Sequence, residues 1–319
     1  MRRSPRIKID RFPPYQGLDW NRKISKPDNP HFWKFGVANL IFHDYVKGKS
    51  TVLDLGCGTG GSTIFLAEKL DAEWIVGVDL IKGMIRVAKK NAASKGFDKK
   101  ICFLVCDGRH LPFHASCFEA LVSRGDAFCF LVPLKNAVQE LKRVLKPGGV
   151  VVLEMDYRAD WKPGTTLSTG FRKMPDGQTA YVIETFTTRR NHRTISYILD
   201  SKGKTGKKIA HDHEFQEKGI KAQAYLLQEI EKETTEIRQG VETHWPTARE
   251  LHMLFKKGGF AKVQLIGDGL LMNLLLEGDK TVVEAMKRHP SIFFEIERRL
   301  VPYVDPNKAP TMILRATVS

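Results

Sequence analysis

The glycine-rich segment VLDLGCGTGG at residues 52–61 restricts what this chain can fold into more than any other part of its sequence. It follows a short β-rich run and precedes a stretch of helical composition, which predicts a strand, a tight turn and a helix in succession. Glycines let the backbone turn tightly and approach a ligand closely, and a helix N-terminus presents free amides. The segment therefore predicts a ligand-binding loop at the carboxyl end of a buried strand.

An alternation of strands and helices surrounds this loop. Short, nearly all-apolar runs predict strands, and the amphipathic stretches between them predict helices. Strands of this kind are typical of a parallel sheet that is covered by helices on both faces. The predicted strands are residues 51–55, 74–80, 101–106, 118–123 and 150–155, with two more at 261–266 and 311–317 and one helix around 281–300 between those two.

The middle of the chain departs from this alternation. Residues 181–187 and 194–199 alternate apolar and polar side chains around a basic turn, which predicts an antiparallel hairpin, and residues 221–238 have helical character. We therefore expect an insertion in the core. The predicted organisation is a basic N-terminal arm at residues 1–30, a core of residues 31–158 and 243–319, and an inserted substrate or lid region at residues 159–242.

The composition is that of an ordinary globular protein. The chain has 319 residues, of which 42% are hydrophobic and 27% are charged. No apolar run reaches the roughly 20 residues of a membrane helix, and the five scattered cysteines make a poor disulfide framework. We expect a cytoplasmic protein without a membrane span, and a homo-oligomer is an open alternative to a monomer.

The formal net charge of +15 is concentrated in two segments. Residues 1–50 hold eleven basic against four acidic residues, and residues 172–208 hold nine against three. Such segments suit nucleic acid or another polyanion, and they are as typical of a solvated surface.

Three carboxylates stand at or just beyond the ends of the first three predicted strands. Asp54 precedes the glycines, where it can accept a hydrogen bond from a ligand's amino group. Asp79 lies about 20 residues beyond the loop, the spacing of a ribose-binding acid, and Asp107 is placed to accept from an adenine amino group. An acid directly before the glycines would repel a pyrophosphate, which disfavours a nicotinamide dinucleotide site.

These residues resemble a known family. The DLGCGTG sequence, the strand-end Asp79, CDGRHLPF at residues 106–113 and ELKRVLKPGG at residues 140–149 are similar to class I S-adenosylmethionine-dependent methyltransferases. The resemblance implies a Rossmann-like α/β fold with a seven-stranded, mostly parallel sheet, its last strand antiparallel, with helices on both faces and an inserted antiparallel β/helical lid. It also implies S-adenosylmethionine as cofactor and S-adenosylhomocysteine as product.

The same resemblance assigns a set of cofactor-binding residues. The loop glycines contact the methionine part of the cofactor, the second strand end the ribose, and the third the adenine. The residues so assigned are Asp54, Gly56, Gly58, Gly60, Asp79, Leu80, Asp107, Gly108 and Arg124.

The acceptor site is expected after the fourth and fifth strands. Gly125-Asp-Ala-Phe128 resembles the Gly-Asn-Ser-Phe loop of glycine N-methyltransferases and their small-molecule relatives, with Asp126 in place of the Asn. Arg124, Asp126, Tyr157 and Arg158 are the candidates for positioning the acceptor. Asp126 favours a cationic amine, whereas Arg158 favours a carboxylate or phosphate. The alternative is that Asp126 and Arg158 only pair with each other.

Other chemistries fit the sequence less well. The Asn/Asp-Pro-Pro-Tyr/Phe sequence of amino-methylating nucleic-acid enzymes does not follow the fourth strand, and Cys129 is better explained as a packed residue than as a nucleophile. His211 and His213 have no third ligand nearby, so no metal site is expected. Trp33 and Lys34 precede the core helix and are candidates for closing over the cofactor, although Trp33 is better explained as a packed residue.

The sequence thus favours methyl transfer to a small-molecule acceptor through a nitrogen or oxygen nucleophile. The main alternative is an RNA or protein methyltransferase that binds through the basic segments 1–50 and 172–208. A non-catalytic module that only binds the cofactor is a third interpretation.

Overall fold

The computed structural model describes residues 25–157, 166–173, 179–188, 191–199 and 235–319. These residues belong to two compact units, one built on a seven-stranded sheet and the other on a four-stranded sheet. The seven-stranded unit carries the predicted ligand-binding loop. Within the described residues, no helix has the length and apolar character needed to span a bilayer.

The strands and helices alternate along most of the chain. In chain order the strands are β1 (Thr51–Leu55), β2 (Trp74–Asp79), β3 (Ile101–Val105), β4 (Phe118–Ser123), β5 (Leu145–Asp156), β6 (Thr166–Lys173), β7 (Thr179–Thr188), β8 (Asn191–Leu199), β9 (Thr235–Glu242), β10 (Phe260–Asp268) and β11 (Thr311–Val318). The helices are α1 (Pro30–Val46), α2 (Gly61–Lys69), α3 (Lys82–Ser94), α4 (Leu134–Val144), α5 (Ala248–Lys257), α6 (Leu270–Glu277), α7 (Lys280–Arg288) and α8 (Pro290–Leu300).

The larger sheet has the strand order β10-β11-β5-β4-β1-β2-β3. β1 pairs in parallel with β2 and β4, whereas β11 runs antiparallel to both β5 and β10. The predicted seven-stranded sheet with an antiparallel last strand is confirmed. Because the chain turns from one side of β1 to the other, the carboxyl end of β1 is a topological switch point, where ligands bind in such sheets.

Helices close over the sheet through apolar stripes, and α4 illustrates the pattern. Its buried residues recur at helical spacing, and the polar residues between them are exposed or half-buried. Each buried Val or Leu contributes about 1.5–3 kcal/mol of hydrophobic stabilisation. The buried set on α4 is Leu134, Ala137, Val138, Leu141 and Val144.

The helices between β10 and β11 correct one prediction. The single helix predicted around residues 281–300 is wrong, since α7 ends at Arg288 and α8 begins at Pro290. Proline lacks the amide that would continue the helix, so the chain starts a new one. The preceding helix α6 was not predicted. α8 packs on α1, where the rings of Phe294 and Trp33 lie 5.2 Å apart.

The smaller sheet has the strand order β6-β7-β8-β9, all antiparallel. The hairpin of β7 and β8 confirms the hairpin predicted from alternation. The helix predicted over residues 221–238 is wrong at its end, because Thr235–Glu242 is β9 and pairs with β8; residues 221–234 lie outside the described residues. Residues 235–242 include the β-branched Thr235, Ile237 and Val241, and they pair with the edge of β8 that β7 does not use. Both features favour a strand there. The division of the chain into arm, core and lid stays a prediction.

Candidate functional site

The glycine loop joins β1 to α2 in a conformation that requires glycine. Gly56, Gly58 and Gly60 all have left-handed backbones, with φ of +70°, +54° and +85°. The loop is fastened to β2, since the amides of Gly56 and Cys57 donate to the Val78 carbonyl at 2.8 and 2.9 Å. Its shape is therefore set by the backbone and by β2.

The space around the loop differs from one glycine to the next. A Cβ at Gly56 would lie 2.2 Å from the Cβ of Ala127, so the turn after β4 rests directly on the loop. A Cβ at Gly58 would meet no atom of the described residues within 4 Å. Since Gly58 is not needed for internal packing, the open space beside it fits a bound ligand.

Asp79 orders the loop from the end of β2. Its Oδ2 accepts from the Gly58 amide at 2.9 Å, and its Oδ1 accepts from the Ile81 amide at 2.8 Å. Burial raises the pKa of the Asp79 carboxyl, and these backbone hydrogen bonds oppose that effect. A carboxylate oxygen can accept more than one hydrogen bond, so Asp79 can also receive ligand hydroxyls. Leu80 follows it, with its side chain exposed.

Asp54 is buried at the end of β1 and faces the first turns of α2. Its Oδ2 accepts from the Thr63 hydroxyl at 2.6 Å. Burial raises the pKa of Asp54 to about 6, while the Thr63 hydrogen bond and the nearby Arg124 charge act to lower it. A ligand ammonium near Asp54 would favour its charged form.

Asp107 and Gly108 follow β3. The Asp107 carboxylate is paired with Arg109, whose Nη2 lies 2.6 Å from Oδ2, and this pairing lowers the pKa of Asp107. A Cβ at Gly108 would lie 2.7 Å from Leu55, so only glycine allows this close approach to β1. Sequence reasoning did not identify Arg109 as a neighbour of the predicted adenine contact.

The turn after β4, residues 124–127, is held by the Glu154 side chain and the Asp156 amide of β5. Gly125 and Asp126 are both left-handed, with φ of +69° and +67°. The Gly125 amide donates to Glu154 Oε2 at 2.8 Å, and the Asp156 amide donates to Asp126 Oδ1 at 2.7 Å. A left-handed non-glycine residue costs about 1–2 kcal/mol, which these hydrogen bonds help to offset.

Helix α1 contributes the other side of this turn. The Arg124 guanidinium donates to Asn39 Oδ1 at 2.6 Å and lies over the Phe35 ring, 4.4 Å from its centroid. Burial lowers the pKa of Arg124, and the charges of Asp54 and Glu154 act to raise it. Arg124 thus joins α1, the turn and the end of β1, and its predicted contact with the cofactor stays a prediction.

Lys34 of α1 lies at the centre of these acidic groups. Its Nζ is 2.8 Å from Glu154 Oε1 and 2.5 Å from Asp156 Oδ1. The sequence places Asp156 after the predicted fifth strand, beside Tyr157 and Arg158, but Glu154 was not identified, although a glutamate inside the apolar run VVVLEMD was a usable signal. Trp33, the other candidate for closing over the cofactor, is fully buried and donates to the Pro27 carbonyl at 2.7 Å, so it packs within the fold.

The remaining acceptor candidates are placed less closely. The Tyr157 amide donates to the Pro310 carbonyl at 2.9 Å, which places Tyr157 next to the start of β11. Arg158 lies outside the described residues, as do His211 and His213, so the pairing of Arg158 with Asp126 stays a prediction. Cys129 is buried, in agreement with the packed role predicted for it.

Comparisons with known proteins agree with this geometry. Residues 52–149 match the family described as "Methyltransferase domain". The chain is 36% identical over 123 residues to a demethylmenaquinone methyltransferase of Thermus thermophilus, covering 38% of this chain and 53% of that protein. It is 33% identical over 114 residues to a malonyl-[acyl-carrier protein] O-methyltransferase of Geobacter sulfurreducens, covering 36% and 41%. The chain spans about half the length of the curated relatives it matches.

Solved structures extend the likeness to nearly the whole fold. An S-adenosylmethionine-dependent methyltransferase from Clostridium acetobutylicum superposes with a TM-score of 0.54 at 13% identity, covering 91% of this chain and 92% of that one. The CcbJ methyltransferase from Streptomyces caelestis gives 0.56 at 14%, covering 90% of each. Residues 52–149 therefore match a methyltransferase domain, and the chain has the fold of these S-adenosylmethionine-dependent methyltransferase structures.

Proposed function

We propose that this protein transfers a methyl group from S-adenosylmethionine to a nitrogen or oxygen nucleophile of a small molecule, by in-line displacement. One observation carries the proposal. The glycine loop lies at the carboxyl end of the central strand, Asp79 fastens it through the Gly58 amide, and the space beside Gly58 is open among the described residues. A loop so held has a fixed shape before any ligand binds.

The residues present fit the cofactor in charge and in shape. Asp79 is placed for the ribose with Leu80 beside it, Asp107 and Gly108 for the adenine, and Asp54 for the ammonium group. The three loop glycines leave room for the methionine part. When bound, S-adenosylmethionine supplies an electrophilic methyl group on a sulfonium. What the protein adds is alignment of the acceptor with that group and exclusion of water.

The acceptor side is where Arg124, Asp126, Tyr157 and Arg158 are proposed to act. Asp126 and its neighbour Asp156 favour a cationic or hydrogen-bond-donating acceptor such as an amine. The names of several relatives support a small-molecule acceptor, among them the demethylmenaquinone methyltransferases and an ajmaline N-methyltransferase of Rauvolfia serpentina. The two basic segments keep an RNA or protein acceptor as the second candidate, because they hold most of the excess positive charge.

A labelled-methyl experiment separates these acceptors. The protein is incubated with S-adenosylmethionine carrying a radioactive methyl group and, separately, with the small-molecule, RNA and protein fractions of a cell extract. We expect label in the small-molecule fraction at a rate that changes little with salt. An RNA acceptor held through 6–10 phosphates would lose about 10³-fold or more in affinity between 50 and 200 mM salt. Label confined to RNA or protein overturns the small-molecule proposal. If the protein binds the cofactor but none of the three fractions is labelled, the protein is a binding module.

A further inference from the structure

Lys34 is a buried ammonium whose charge is held by two carboxylates. Its side chain is 3% exposed, and it contacts Glu154 and Asp156 at the end of β5. Burial alone would lower the pKa of a lysine, but Asp156, Glu154 and Asp126 raise the pKa of Lys34 well above its usual range. Lys34 is therefore a permanent cation inside the fold.

Two chains of contacts lead from this ammonium to the turn after β4. In the first, Lys34 binds Glu154, whose other oxygen accepts from the Gly125 amide. In the second, Lys34 binds Asp156, whose own amide donates to Asp126. The two chains end on the two left-handed residues of the turn. The next residue, Ala127, rests on Gly56 of the cofactor loop.

Fastening α1 to the core does not explain this arrangement. α1 is already fastened by the buried Trp33, packed against Phe294, and by the ion pair of Asp44 with Arg298 of α8. A buried ion pair adds little stability relative to well-packed apolar residues, because the charges lose their hydration. Its distinctive property is a fixed geometry, and here that geometry is transmitted to the turn.

We propose that Lys34 is a positioning residue of the acceptor site, which fixes the Gly125–Asp126 turn against the cofactor loop through Glu154 and Asp156. The inference rests on the proposed function, because that function makes the turn part of an acceptor site. Its structural part can be measured without methyl transfer, so the two can fail separately.

The experiment compares three variants of the full chain. Lys34→Met removes the charge and keeps the length of the side chain, and Lys34→Arg keeps the charge. Asp44→Asn is the matched control, because it weakens the other ion pair of α1 and does not touch the turn. Two quantities are measured: hydrogen exchange at the amides of Gly125 and Asp156, and the dissociation constant for S-adenosylmethionine by calorimetry.

In Lys34→Met we expect the exchange protection of both amides to fall about 10-fold or more. The dissociation constant should rise about 5- to 10-fold, because the turn no longer stays seated on the loop. Lys34→Arg should recover most of both effects, and Asp44→Asn should show neither. Wild-type protection in Lys34→Met, or equal losses in Asp44→Asn, overturns the proposal.

Lys34→Met leaves buried carboxylates without their cation, so it can fail to fold. The double variant Lys34→Met/Glu154→Gln removes one charge of each sign and serves in that case. Its Asp156 amide should still lose protection, and full protection there contradicts the inference. Absence of cofactor binding in the wild type overturns the proposed function, while the exchange data still decide the role of Lys34.

Discussion

The glycine loop of residues 56–60 and the turn after β4, residues 124–127, lie against each other but are built in different ways. The loop of Gly56–Gly60 is shaped by its own glycines, by backbone hydrogen bonds to Val78, and by the side chains of Asp79 and Asn91, which bind the Gly58 amide and the Thr59 carbonyl. The turn of residues 124–127 is held by distant parts of the chain: the side chains of Asn39 and Glu154, the Asp156 amide, and Lys34, which pairs with Glu154 and Asp156. The shape of the loop thus depends on its own glycines and on elements that follow closely in sequence, whereas the turn depends on contacts with α1 and β5.

This difference indicates which part of the site can be altered by substitutions elsewhere in the chain. Altering the loop changes the fit of any ligand there, because its shape is the backbone itself. The turn can be altered through α1 or β5 without touching the loop glycines. A turn that is held by contacts from other elements can therefore be altered by substitutions outside the loop, and such a change reaches the loop through the contact of Ala127 with Gly56.

The largest effect is expected at Gly58. Gly58→Val should abolish binding of S-adenosylmethionine without unfolding the protein, because the β-branched side chain fills the open space and disfavours φ of +54°. Gly96→Val is the matched control, since Gly96 is also left-handed, with φ of +76°, and open among the described residues. Calorimetry measures cofactor binding and circular dichroism measures folding in both variants. Normal cofactor binding by a natively folded Gly58→Val would contradict the statement that the loop backbone sets the fit of the ligand.

The next effect is expected at Asp79, the carboxylate that accepts a hydrogen bond from the Gly58 amide of the loop. Asp79→Ala should weaken binding of S-adenosylmethionine by about 1.5–3 kcal/mol, the cost of losing a charge-assisted hydrogen bond. Asp98→Ala, at an exposed position outside the site, controls for the change in net charge. Unchanged affinity in a folded Asp79→Ala would remove the ribose assignment.

The same difference explains what the sequence could and could not reveal. The glycine spacing, the apolar strands and the strand-end acids are local patterns, so the sheet, the loop and the position of Asp79 at the end of β2 could be predicted, while its role in binding a ribose stays a prediction. The partners of the turn are separated from it by 29 to 85 residues, and no local pattern reports such contacts. Lys34 was identified only as a neighbour of the cofactor, because nothing near it in sequence indicates Glu154.

A similar reason explains the errors in secondary structure. Residues 235–238 have the composition of a helix end, but pairing with β8 makes them a strand. The break at Pro290 has a local cause and could have been predicted. Tertiary pairing overrides local propensity only where an edge or a face is available to receive the segment.

A smaller effect should separate charge from shape within the turn. Asp126→Asn keeps an oxygen that can accept from the Asp156 amide, and asparagine tolerates the left-handed backbone. For the acceptor that the labelled-methyl experiment identifies, kcat/KM should fall about 10-fold or more, while cofactor affinity stays the same. If kcat/KM is unchanged, the charge of Asp126 has no role in acceptor binding. A double-mutant cycle with Arg158→Ala then tests whether the two side chains only pair.

The last prediction concerns folding stability, through a buried carboxyl pair that β10 and α8 contribute. Glu297 accepts from the amides of Gly269, Leu270 and Leu271 at the start of α6, and the adjacent Asp268 is fully buried. Burial, with the charges of Glu297 and Glu154, raises the pKa of Asp268 well above its usual value.

Asp268 therefore keeps its proton in the folded protein at a pH where the unfolded chain has lost it. The folded state then binds more protons, so the free energy of unfolding falls as pH rises from about 4 towards the raised pKa, by about 1.4 kcal/mol for each step of one in pH. Asp268→Asn cannot ionise, so its stability should depend less on pH and should exceed that of the wild type at neutral pH. Asp305→Asn is the control, because hydrogen bonds from Asn307 lower the pKa of that exposed carboxyl and its pH dependence has the opposite sign. Urea denaturation at several pH values gives the free energy of unfolding of all three proteins. If this free energy changes with pH in parallel for the wild type and Asp268→Asn, Asp268 ionises normally in the fold.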